Sequence, residues 1–588
     1  MEELDRLEKH WRWWLLLFWL CAAAALIYAK WSAIRSFGLG DTDDNMRIME
    51  VRAWLAGQPW YDLRQYRLNP PFGADIHWSR LVDLPIAGLK LGLTPLLGGA
   101  GAEKVAVTVA PLLPMAVAMA AVAAVARRLL APSAFALAIA VLLCAQSPRA
   151  MWAPLRIDHH GWQLAFLACA LAGLTDPKRA RGGLILGLST ALSVVIGLEM
   201  LLYLALAGGL AVLMWVRDRG EARRLLTYGA SLAGGTAAGY LLFASWANRA
   251  PMCDALSPVW LSALSGAGAV AILLALLPLR SWPLRLGAAA VGGVVVGAAF
   301  ALAWPHCLGR LENVSPEATR LWLVNVREAR PIYLHGLQTV VIVCALPIMG
   351  LIGYATMLWR SRRDPERLML WGLVAAPALL AALLLLWQAR AGPAAQLLAV
   401  PGATGLAWVL LPWTFGNRFM LVRVVGTVGA FLLVSGLLAQ QVASWVPQPA
   451  RPAMKTVKRA DGLCWSLWGL HPVALVPKGY VLTHVDLGPR LIAVTHHDAV
   501  AGPYHRNGRD IVDVMLAFRS TPEYAHQVIE RRGIDYVLVC PSMSETTIYS
   551  TQAKNGFYMQ LIRGQVPDWL EPVPLPKASP FRMWRVRR

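Results

Sequence analysis

Charged residues are scarce in this chain, and acidic residues are scarcer than basic ones. Only 15% of the 588 residues are charged, with 55 lysines and arginines against 34 aspartates and glutamates. A soluble domain carries about 25% charged residues. Since 57% of the residues are hydrophobic and the mean hydropathy is +0.49, this shortage excludes an ordinary soluble protein and indicates membrane-spanning helices.

Closely spaced cysteines are also missing. The chain has eight cysteines but no CxxC pair, which argues against a structural zinc site. Four of the eight lie in apolar segments, where cysteine packs as a small hydrophobic residue. Cys253 with Cys307 and Cys464 with Cys540 could pair in an oxidising compartment, although the sequence leaves this open. No tandem repeat or low-complexity tract stands out.

The net charge of +21 comes largely from basic clusters in alternate loops between apolar segments. Such periodic placement is typical of orientation signals that face the cytoplasm, as the positive-inside rule describes. It does not indicate a nucleic-acid surface, and nucleic acid is not expected as a partner. The clusters are Arg127-Arg128, Lys178–Arg181, Arg217–Arg224, Arg280 with Arg285, and Arg360–Arg363.

Apolar runs of about 20 residues recur through residues 1–446, and each is long enough to cross a bilayer. The segment Trp13–Ile27 follows a charged leader (residues 2–9) and predicts an uncleaved first span rather than a signal peptide. Leu81–Ala100 is apolar but rich in glycine and proline, so we expect it to be interfacial or re-entrant. About thirteen spans are predicted, beginning near Trp13, Lys104, Pro132, Trp162, Gly183, Met200, Leu225, Pro258, Leu284, Leu337, Leu368, Ala394 and Leu421.

A cytoplasmic N-terminus would place the loops 31–103, 147–161 and 305–335 outside the cell membrane. An odd number of membrane spans would also place residues 447–588 outside, as a small soluble α/β domain after a linker at Pro447–Pro449. The fold class expected is therefore a polytopic α-helical protein of a bacterial or archaeal (inner) membrane, with an extracytoplasmic C-terminal domain. Its predicted strands are Tyr480–Thr483, Leu491–Val494 and Asp535–Val539, and its predicted helices contain Met515–Phe518 and Pro522–Arg532.

Three polar patches lie in these external loops. Asp41–Asp44 holds three carboxylates within four residues, Asp158–His160 holds a carboxylate and two imidazoles, and Glu328 stands between two arginines. A solvated loop, a hydrogen-bonded cap and a surface ion pair are the simple explanations. Together, however, such oxygen-rich groups suit Mg²⁺ or Mn²⁺.

In order along roughly the first 420 residues, the patches resemble the motifs of oligosaccharyltransferase catalytic subunits, membrane glycosyltransferases of the GT-C superfamily. Asp41 with Met46-Arg47 resembles the first acidic motif, and residues 71–78 resemble the segment that follows it. Asp158 and His160 resemble the DxH-like motif, and residues 326–331 the SVSE/TIxE motif. Arg390 is similar to the arginine that contacts the phosphate of the lipid-linked donor.

The resemblance implies metal-dependent transfer of a sugar or oligosaccharide from a polyprenyl (pyro)phosphate donor to an external acceptor. It implies that Asp41, Asp158 and His160 hold Mn²⁺ or Mg²⁺ and that Arg390 binds the donor phosphate. The catalytic set would be Asp41, Asp43, Asp44 and Glu328, with the choice of base between Asp43 and Asp44 open. Further donor or acceptor contacts would come from Arg47, His77, Arg156, His159 and His505.

One family motif is missing. The WWDYG motif, which reads the acceptor sequon in the family, is absent, and Cys464–Gly469 does not replace it. An asparagine, a hydroxyl, a glycan or a lipid therefore stays open as the acceptor. Two alternatives remain. One is a GT-C enzyme that adds a sugar to a glycolipid or surface polysaccharide. The other is a secondary transporter, which usually keeps its site at the bilayer midplane, between repeats.

Overall fold

The computed structural model describes residues 8–446 and 452–588. Most of the charged leader, residues 2–7, and the predicted linker at Pro447–Pro449 lie outside this description. The described chain is mostly helical as far as Trp445 and adds a small sheet after residue 480. The predicted class, a polytopic helical protein, is confirmed.

The first half of the chain contains eleven described α-helices and one two-stranded ribbon. Ser257 and Asp364 are the N-cap residues of two later helices. Each side chain accepts hydrogen bonding from the backbone of the first helical turn, and a proline begins each helix. The bounds are α1 Trp11–Ala29, α2 Trp31–Arg35, α3 Thr42–Leu55, β1 Arg64–Gln65, β2 Ala74–Asp75, α4 Asp83–Val109, α5 Leu112–Leu129, α6 Ala134–Cys144, α7 Gln146–Met151, α8 His160–Leu174, α9 Arg179–Ile196, α10 Leu201–Arg217 and α11 Ala222–Phe243.

The second half of the helical region continues to Trp445, and a long loop that contains Glu328 separates α13 from α15. The bounds are α12 Pro258–Leu276, α13 Trp282–Ala303, α14 Pro316–Leu321, α15 Leu337–Arg360, α16 Pro365–Leu384, α17 Gly392–Phe415, α18 Thr427–Val434 and α19 Leu437–Trp445.

Eight segments of the described chain are long and apolar enough to cross a membrane. A ninth is obtained if the pair Val422–Val434 and Leu437–Trp445, bent by 87°, forms one span. Helices α6, α8 and α10 are apolar but shorter. Every predicted start falls on or within a few residues of a helix, while the number thirteen stays a prediction.

The stretch Leu81–Ala100 belongs mainly to α4, which begins well before the predicted start at Lys104. The helix is broken at Gly98, where φ is 69° and ψ is 164°. Glycine reaches this left-handed region without steric cost, unlike residues with a Cβ atom. The glycine-rich stretch therefore contains a break between two helical pieces, and its interfacial or re-entrant position stays a prediction.

Buried ion pairs fix α3, the first helix after the acidic patch, against the start of α4. Arg47 Nη1 lies 2.9 Å from Asp83 Oδ1, and Arg80 Nη1 lies 3.2 Å from Asp83 Oδ2. Glu50 is 3.7 Å from Arg80, and burial raises the pKa of Glu50 to about 8. Burying charges is costly unless they are paired, so this network permits few other arrangements of the two helices.

The C-terminal segment, residues 452–588, contains a five-stranded mixed sheet in the order β4-β3-β5-β7-β6. Strand β3 is parallel to β4 and β5, whereas β7 is antiparallel to β5 and β6. The bounds are α20 Pro452–Cys464, α21 Leu467–Ala474, β3 Tyr480–Leu482, α22 Gly488–Val494, β4 Asp498–Ala499, α23 Gly508–Arg519, α24 Pro522–Arg532, β5 Tyr536–Val539, α25 Thr546–Gln552, α26 Phe557–Ile562, β6 Leu570–Pro572 and β7 Arg582–Val586.

The strand predicted at Leu491–Val494 is wrong, because these residues end helix α22. A proline near the start of α22 favours the first helical turn, and Leu491 and Ile492 are fully buried. A short apolar run does not distinguish a buried helix from a buried strand. The other two predicted strands and both predicted helices are present.

The segment around the acidic patch and the C-terminal segment share one hydrophobic core. Met46 and Trp78 pack in the same buried cluster as Leu491 and Tyr504. The backbone joins the two regions as well, because Leu68 pairs with Ala499 at the edge strand β4. The acidic loop is therefore supported by a sheet more than 400 residues further along the chain.

Two disulfide bonds, Cys253–Cys307 and Cys464–Cys540, form between the cysteine couples that the sequence left open. The first joins the loop after α11 to the loop that leads to Glu328. The second joins α20 to the end of β5. In the described chain the other four cysteines are free: Cys21, Cys144, Cys169 and Cys344.

The membrane orientation predicts opposite labelling of two loops. With the four free cysteines replaced by alanine, Ala150→Cys should react with an impermeant thiol reagent in intact cells. Arg363→Cys lies in a basic loop and should react only after lysis. Both positions are exposed in the structure, so access to solvent does not separate them. The reverse pattern would overturn the shared external face.

Candidate active site

The first acidic patch forms the start of helix α3. Asp41 is the N-cap residue, and its Oδ1 accepts a hydrogen bond from the backbone N–H of Asp43 at 3.0 Å. Asp43 and Asp44 lie in the first turn, where the positive end of the helix dipole favours negative charge. Local sequence thus gathers three carboxylates at one helix end.

Arg156 joins this patch to the second one. Its guanidinium group forms an ion pair with Asp41, lies 3.5 Å from Asp44 and lies 2.6 Å from Asp158. Burial alone would lower the pKa of Arg156, but the neighbouring carboxylates raise it well above its usual value. The guanidinium group therefore stays charged and neutralises part of the cluster.

Asp44 is held by the backbone of the second patch. Its Oδ1 accepts the N–H groups of Ile157 at 2.8 Å and Asp158 at 3.2 Å. The residue is buried, and burial raises its pKa well above the usual value despite the nearby Arg156. These contacts give Asp44 a role in joining two loops.

Asp43, by contrast, makes no hydrogen bond through its side chain to the described part of the chain. Burial, followed by the charge of Asp41, raises its pKa from 3.8 to about 7. A carboxylate with a pKa near neutrality is suited to exchange a proton at physiological pH. Of the two residues that the sequence offered as a base, Asp43 is the one left available.

The second patch meets a carboxylate from the turn between α9 and α10. His159 Nε2 lies 2.8 Å from Glu199 Oε1, and the ring centroids of His159 and His160 are 4.3 Å apart. Burial would raise the pKa of Glu199, but the two histidines lower it well below its usual value. One potential ligand atom from each of these three residues lies within 4.8 Å of the others.

The residues at this cluster fit a divalent cation. The buried atoms His159 Nδ1, Glu199 Oε2 and Asp158 Oδ2 have no hydrogen-bond partner, although Asp158 Oδ2 is within ion-pair distance of Arg156. Buried polar groups are rarely left unsatisfied unless a ligand completes their contacts. Imidazole nitrogens and carboxylate oxygens are ordinary ligands for such ions. Of the three predicted ligands, His160 belongs to this cluster, while Asp41 and Asp158 both pair with Arg156 beside it.

The third patch is more exposed. Glu328 forms an ion pair with Arg390, and their side chains are 53% and 40% exposed. The long loop is attached at this point by the backbone, since Ala389 N–H donates to the Arg330 carbonyl at 2.8 Å. The charge of Arg390 also lowers the pKa of Glu199. Loops more than 300 residues apart are thus brought to one site.

The remaining predicted contacts take three different positions. Arg156 and His159 lie in the cluster. His77 and His505 lie beside it, with their ring centroids 4.5 Å apart, and the Trp78 ring lies next to both His77 and His159. Arg47 is fully buried, with its guanidinium carbon 4.4 Å from the Trp78 ring centroid. In this position Arg47 packs beneath the site, and its direct contact with a substrate stays a prediction.

Sequence reasoning missed Glu199. It is the only acidic residue between Asp176 and Asp218, a stretch that is otherwise apolar apart from its basic start. An ionisable residue at the end of a span is a functional signal by itself. Glu199 lies outside the matched motifs, so these motifs did not predict it as a site residue.

No protein-family model matches the chain, and no curated protein matches it significantly. Solved structures do match. The archaeal oligosaccharyltransferase AglB from Archaeoglobus fulgidus, in complex with an inhibitory peptide and a dolichol-phosphate, aligns with a TM-score of 0.67 at 15% identity. The alignment covers 95% of this chain and 73% of AglB.

Two further AglB structures give similar values. The form tethered to an acceptor peptide with an NVT sequon has a TM-score of 0.63 at 15% identity, covering 96% of this chain and 74% of AglB. The apo form has a TM-score of 0.62 at 16% identity, covering 90% and 69%. This chain has the GT-C fold. The resemblance to oligosaccharyltransferase catalytic subunits is confirmed at the level of the fold.

Asp44 and Asp43 should differ in their effect on stability. Asp44→Ala leaves the buried N–H groups of Ile157 and Asp158 without an acceptor, which costs about 1–3 kcal/mol per group. The thermal unfolding temperature of the purified protein should therefore fall. Asp43→Ala is the matched control and should leave that temperature nearly unchanged. Equal losses in both variants would contradict the separation of roles.

Proposed function

We propose that the protein is an integral membrane glycosyltransferase of the oligosaccharyltransferase-like type. It transfers a sugar or oligosaccharide from a polyprenyl (pyro)phosphate donor to an acceptor on the extracytoplasmic side. One observation carries the proposal: Asp41–Asp44, Asp158–His160 and the Glu328–Arg390 pair converge in a fold shared with an oligosaccharyltransferase. The AglB structures were obtained with a dolichol-phosphate and with an acceptor peptide, which supports a lipid-linked donor here.

Arg390 is proposed to bind the donor phosphate. Its side chain is 40% exposed and is paired with the still more exposed carboxylate of Glu328. A guanidinium group binds phosphate through two parallel hydrogen bonds. The phosphate would therefore compete with Glu328 for Arg390 and release that carboxylate toward the acceptor.

A divalent cation, Mn²⁺ or Mg²⁺, is proposed as the cofactor. Asp158 and His160 would hold it together with Asp41, and Glu199 adds a carboxylate that the sequence did not predict. When bound, such an ion supplies positive charge for the leaving phosphate. An AglB structure was obtained in complex with zinc and sulfate, which supports a divalent ion as a cofactor here.

Asp43 is proposed to orient and deprotonate the acceptor. It is the carboxylate of the first patch that is not engaged by Arg156 or by backbone N–H groups. With a pKa raised to about 7 by burial, it accepts a proton more readily than an ordinary aspartate. The proton would leave the attacking acceptor atom as that atom bonds to the anomeric carbon.

A second candidate function is transfer to a glycolipid or surface polysaccharide. The observation that favours it is the missing WWDYG motif, since Cys464–Gly469 forms the end of α20 and the start of α21. Cys464 itself is disulfide-bonded to Cys540. Nothing in this region therefore provides a sequon-reading loop of the family's kind.

The decisive experiment compares surface glycoproteins and glycolipids by mass spectrometry in cells with and without this protein. Loss of a glycan from proteins would support the first acceptor class, and loss from lipids or polysaccharides would support the second. An Asp43→Asn strain is the matched catalytic control and should reproduce the deletion. An unchanged glycan profile in both strains would overturn the proposal.

Arg390 and Glu328 should separate donor binding from turnover. Arg390→Ala loses charge-assisted hydrogen bonds worth about 1.5–3 kcal/mol, a roughly ten- to hundredfold loss of donor affinity. Arg390→Lys should recover only part of it, because lysine lacks the planar fork. Glu328→Gln should chiefly lower turnover. Titration with a fluorescent lipid-linked donor measures this, and unchanged donor affinity of Arg390→Ala would show that its assignment is wrong.

Metal dependence is tested with a chelator. Transfer activity of the purified protein should be lost in EDTA and restored by Mn²⁺ or Mg²⁺, since most proposed ligands are hard oxygens. Asp158→Ala should abolish turnover and leave the yield of folded protein nearly unchanged. Full activity in the chelator would rule out the cofactor role.

A further inference from the structure

A second cluster of metal-type ligands lies beside the candidate active site. It contains His77 from the loop after β2, Asp254 from the loop after α11, and His505 from the C-terminal segment. One potential ligand atom from each of these residues lies within 4.8 Å of the other two. The catalytic scheme above assigns no chemistry to this cluster.

The three loops are themselves firmly held. Asp254 follows Cys253, which is bonded to Cys307, and the Cys253 carbonyl accepts a hydrogen bond from Trp260 at 2.8 Å. His505 begins a 3₁₀ turn, His505–Asn507, that packs against β2. Three regions distant in sequence thus meet through one carboxylate and two imidazoles.

The contacts within the cluster are incomplete. His505 Nε2 lies 2.6 Å from Asp254 Oδ2, and the His505 and His77 rings are 4.5 Å apart. His77 Nδ1 is buried and has no hydrogen-bond partner. Asp254 is 7% exposed, so water does not readily supply the missing contact. A buried imidazole nitrogen without a partner, on a ring that lies beside a carboxylate–imidazole pair, indicates a missing ligand.

Arg506 orients the Asp254 carboxylate and does not prevent it from binding a metal ion. Its Nε and Nη2 lie 2.7 and 2.8 Å from the two oxygens of Asp254, while Nη1 lies 3.1 Å from Asp75. A carboxylate offers about four lone-pair positions. The bidentate contact uses two and His505 Nε2 uses a third, so one position is free and a metal ion would replace the contact with His505. Carboxylates that bind metals are commonly hydrogen-bonded in this way from the outer shell.

We propose that His77, Asp254 and His505 form a second divalent-cation site, separate from the active-site cluster, for which Zn²⁺ is the best fit. Two imidazoles and one carboxylate are common zinc ligands, at about 2.0–2.2 Å from the ion. Ligand atoms of a tetrahedral zinc are about 3.4 Å apart, so small side-chain movements complete the site. The ion fastens the C-terminal segment to the loops on either side of the acidic patch.

The test is zinc binding by the full-length protein in detergent, measured without any activity assay. After treatment with EDTA and gel filtration, the protein is equilibrated with Zn²⁺ alone and its zinc content is determined by plasma mass spectrometry. The parent should hold about one Zn²⁺ more per chain than His77→Phe or His505→Phe. Phenylalanine keeps the ring, and His77→Phe removes no hydrogen bond through Nδ1.

Two control variants test whether the bound zinc depends on this cluster. His471→Phe makes the same change at an exposed histidine of α21 and should bind as much zinc as the parent. Asp158→Asn alters the active-site cluster and should keep the zinc that depends on His77, so the result does not depend on the proposed function. Zn²⁺ should also raise the unfolding temperature of Asp158→Asn but not of its double variant with His77→Phe. Equal zinc contents in the parent, His77→Phe and His505→Phe would overturn the proposal.

Discussion

The buried side chain of Arg490 is the constraint on which the site geometry depends. Its guanidinium group donates to Asn45 Oδ1 at 3.1 Å, to the Phe37 carbonyl at 3.2 Å and to the Trp465 carbonyl at 3.0 Å. No carboxylate in the described chain pairs with it, and burial lowers its pKa to about 10. A buried charge that depends on these oxygens alone is destabilising if any of them moves away. The C-terminal segment and the start of α3 are therefore fixed together.

Asn45 connects Arg490 to the acidic patch through hydrogen bonds. Its Nδ2 donates to the Asp41 carbonyl at 2.6 Å and to the Leu39 carbonyl at 3.3 Å. These two hydrogen bonds fix the backbone on which Asp41 lies. Tyr504 adds a second attachment, since its hydroxyl donates to the Thr42 carbonyl at 3.1 Å. The precise placement that catalysis requires thus comes from residues in the C-terminal segment. The C-terminal segment is therefore needed to position the acidic patch, even though it lacks a sequon-reading motif.

The sequence predicted what local chemistry determines. Apolar runs located the helices, and the three polar patches located the loops of the site, because composition and spacing act over a few residues. Contacts between distant segments were not predictable in this way. Arg156 has no local feature that places it among three aspartates, and Glu199 lies outside every matched motif. Leu491–Val494 was assigned to a strand because a four-residue apolar run does not show whether its neighbours are helical or extended.

The charge balance of the active site sets the conditions for binding an anionic donor. Six carboxylates, those of Asp41, Asp43, Asp44, Asp158, Glu199 and Glu328, lie with two guanidinium groups, those of Arg156 and Arg390. Burial raises the pKa of Asp43 and Asp44, and with both protonated the other four carboxylates still outnumber the two guanidinium groups. A donor phosphate would be repelled from this arrangement unless positive charge were added. The proposed divalent cation at the His159, His160 and Glu199 cluster would supply that charge near the unsatisfied atoms. Donor binding and metal binding would then support each other.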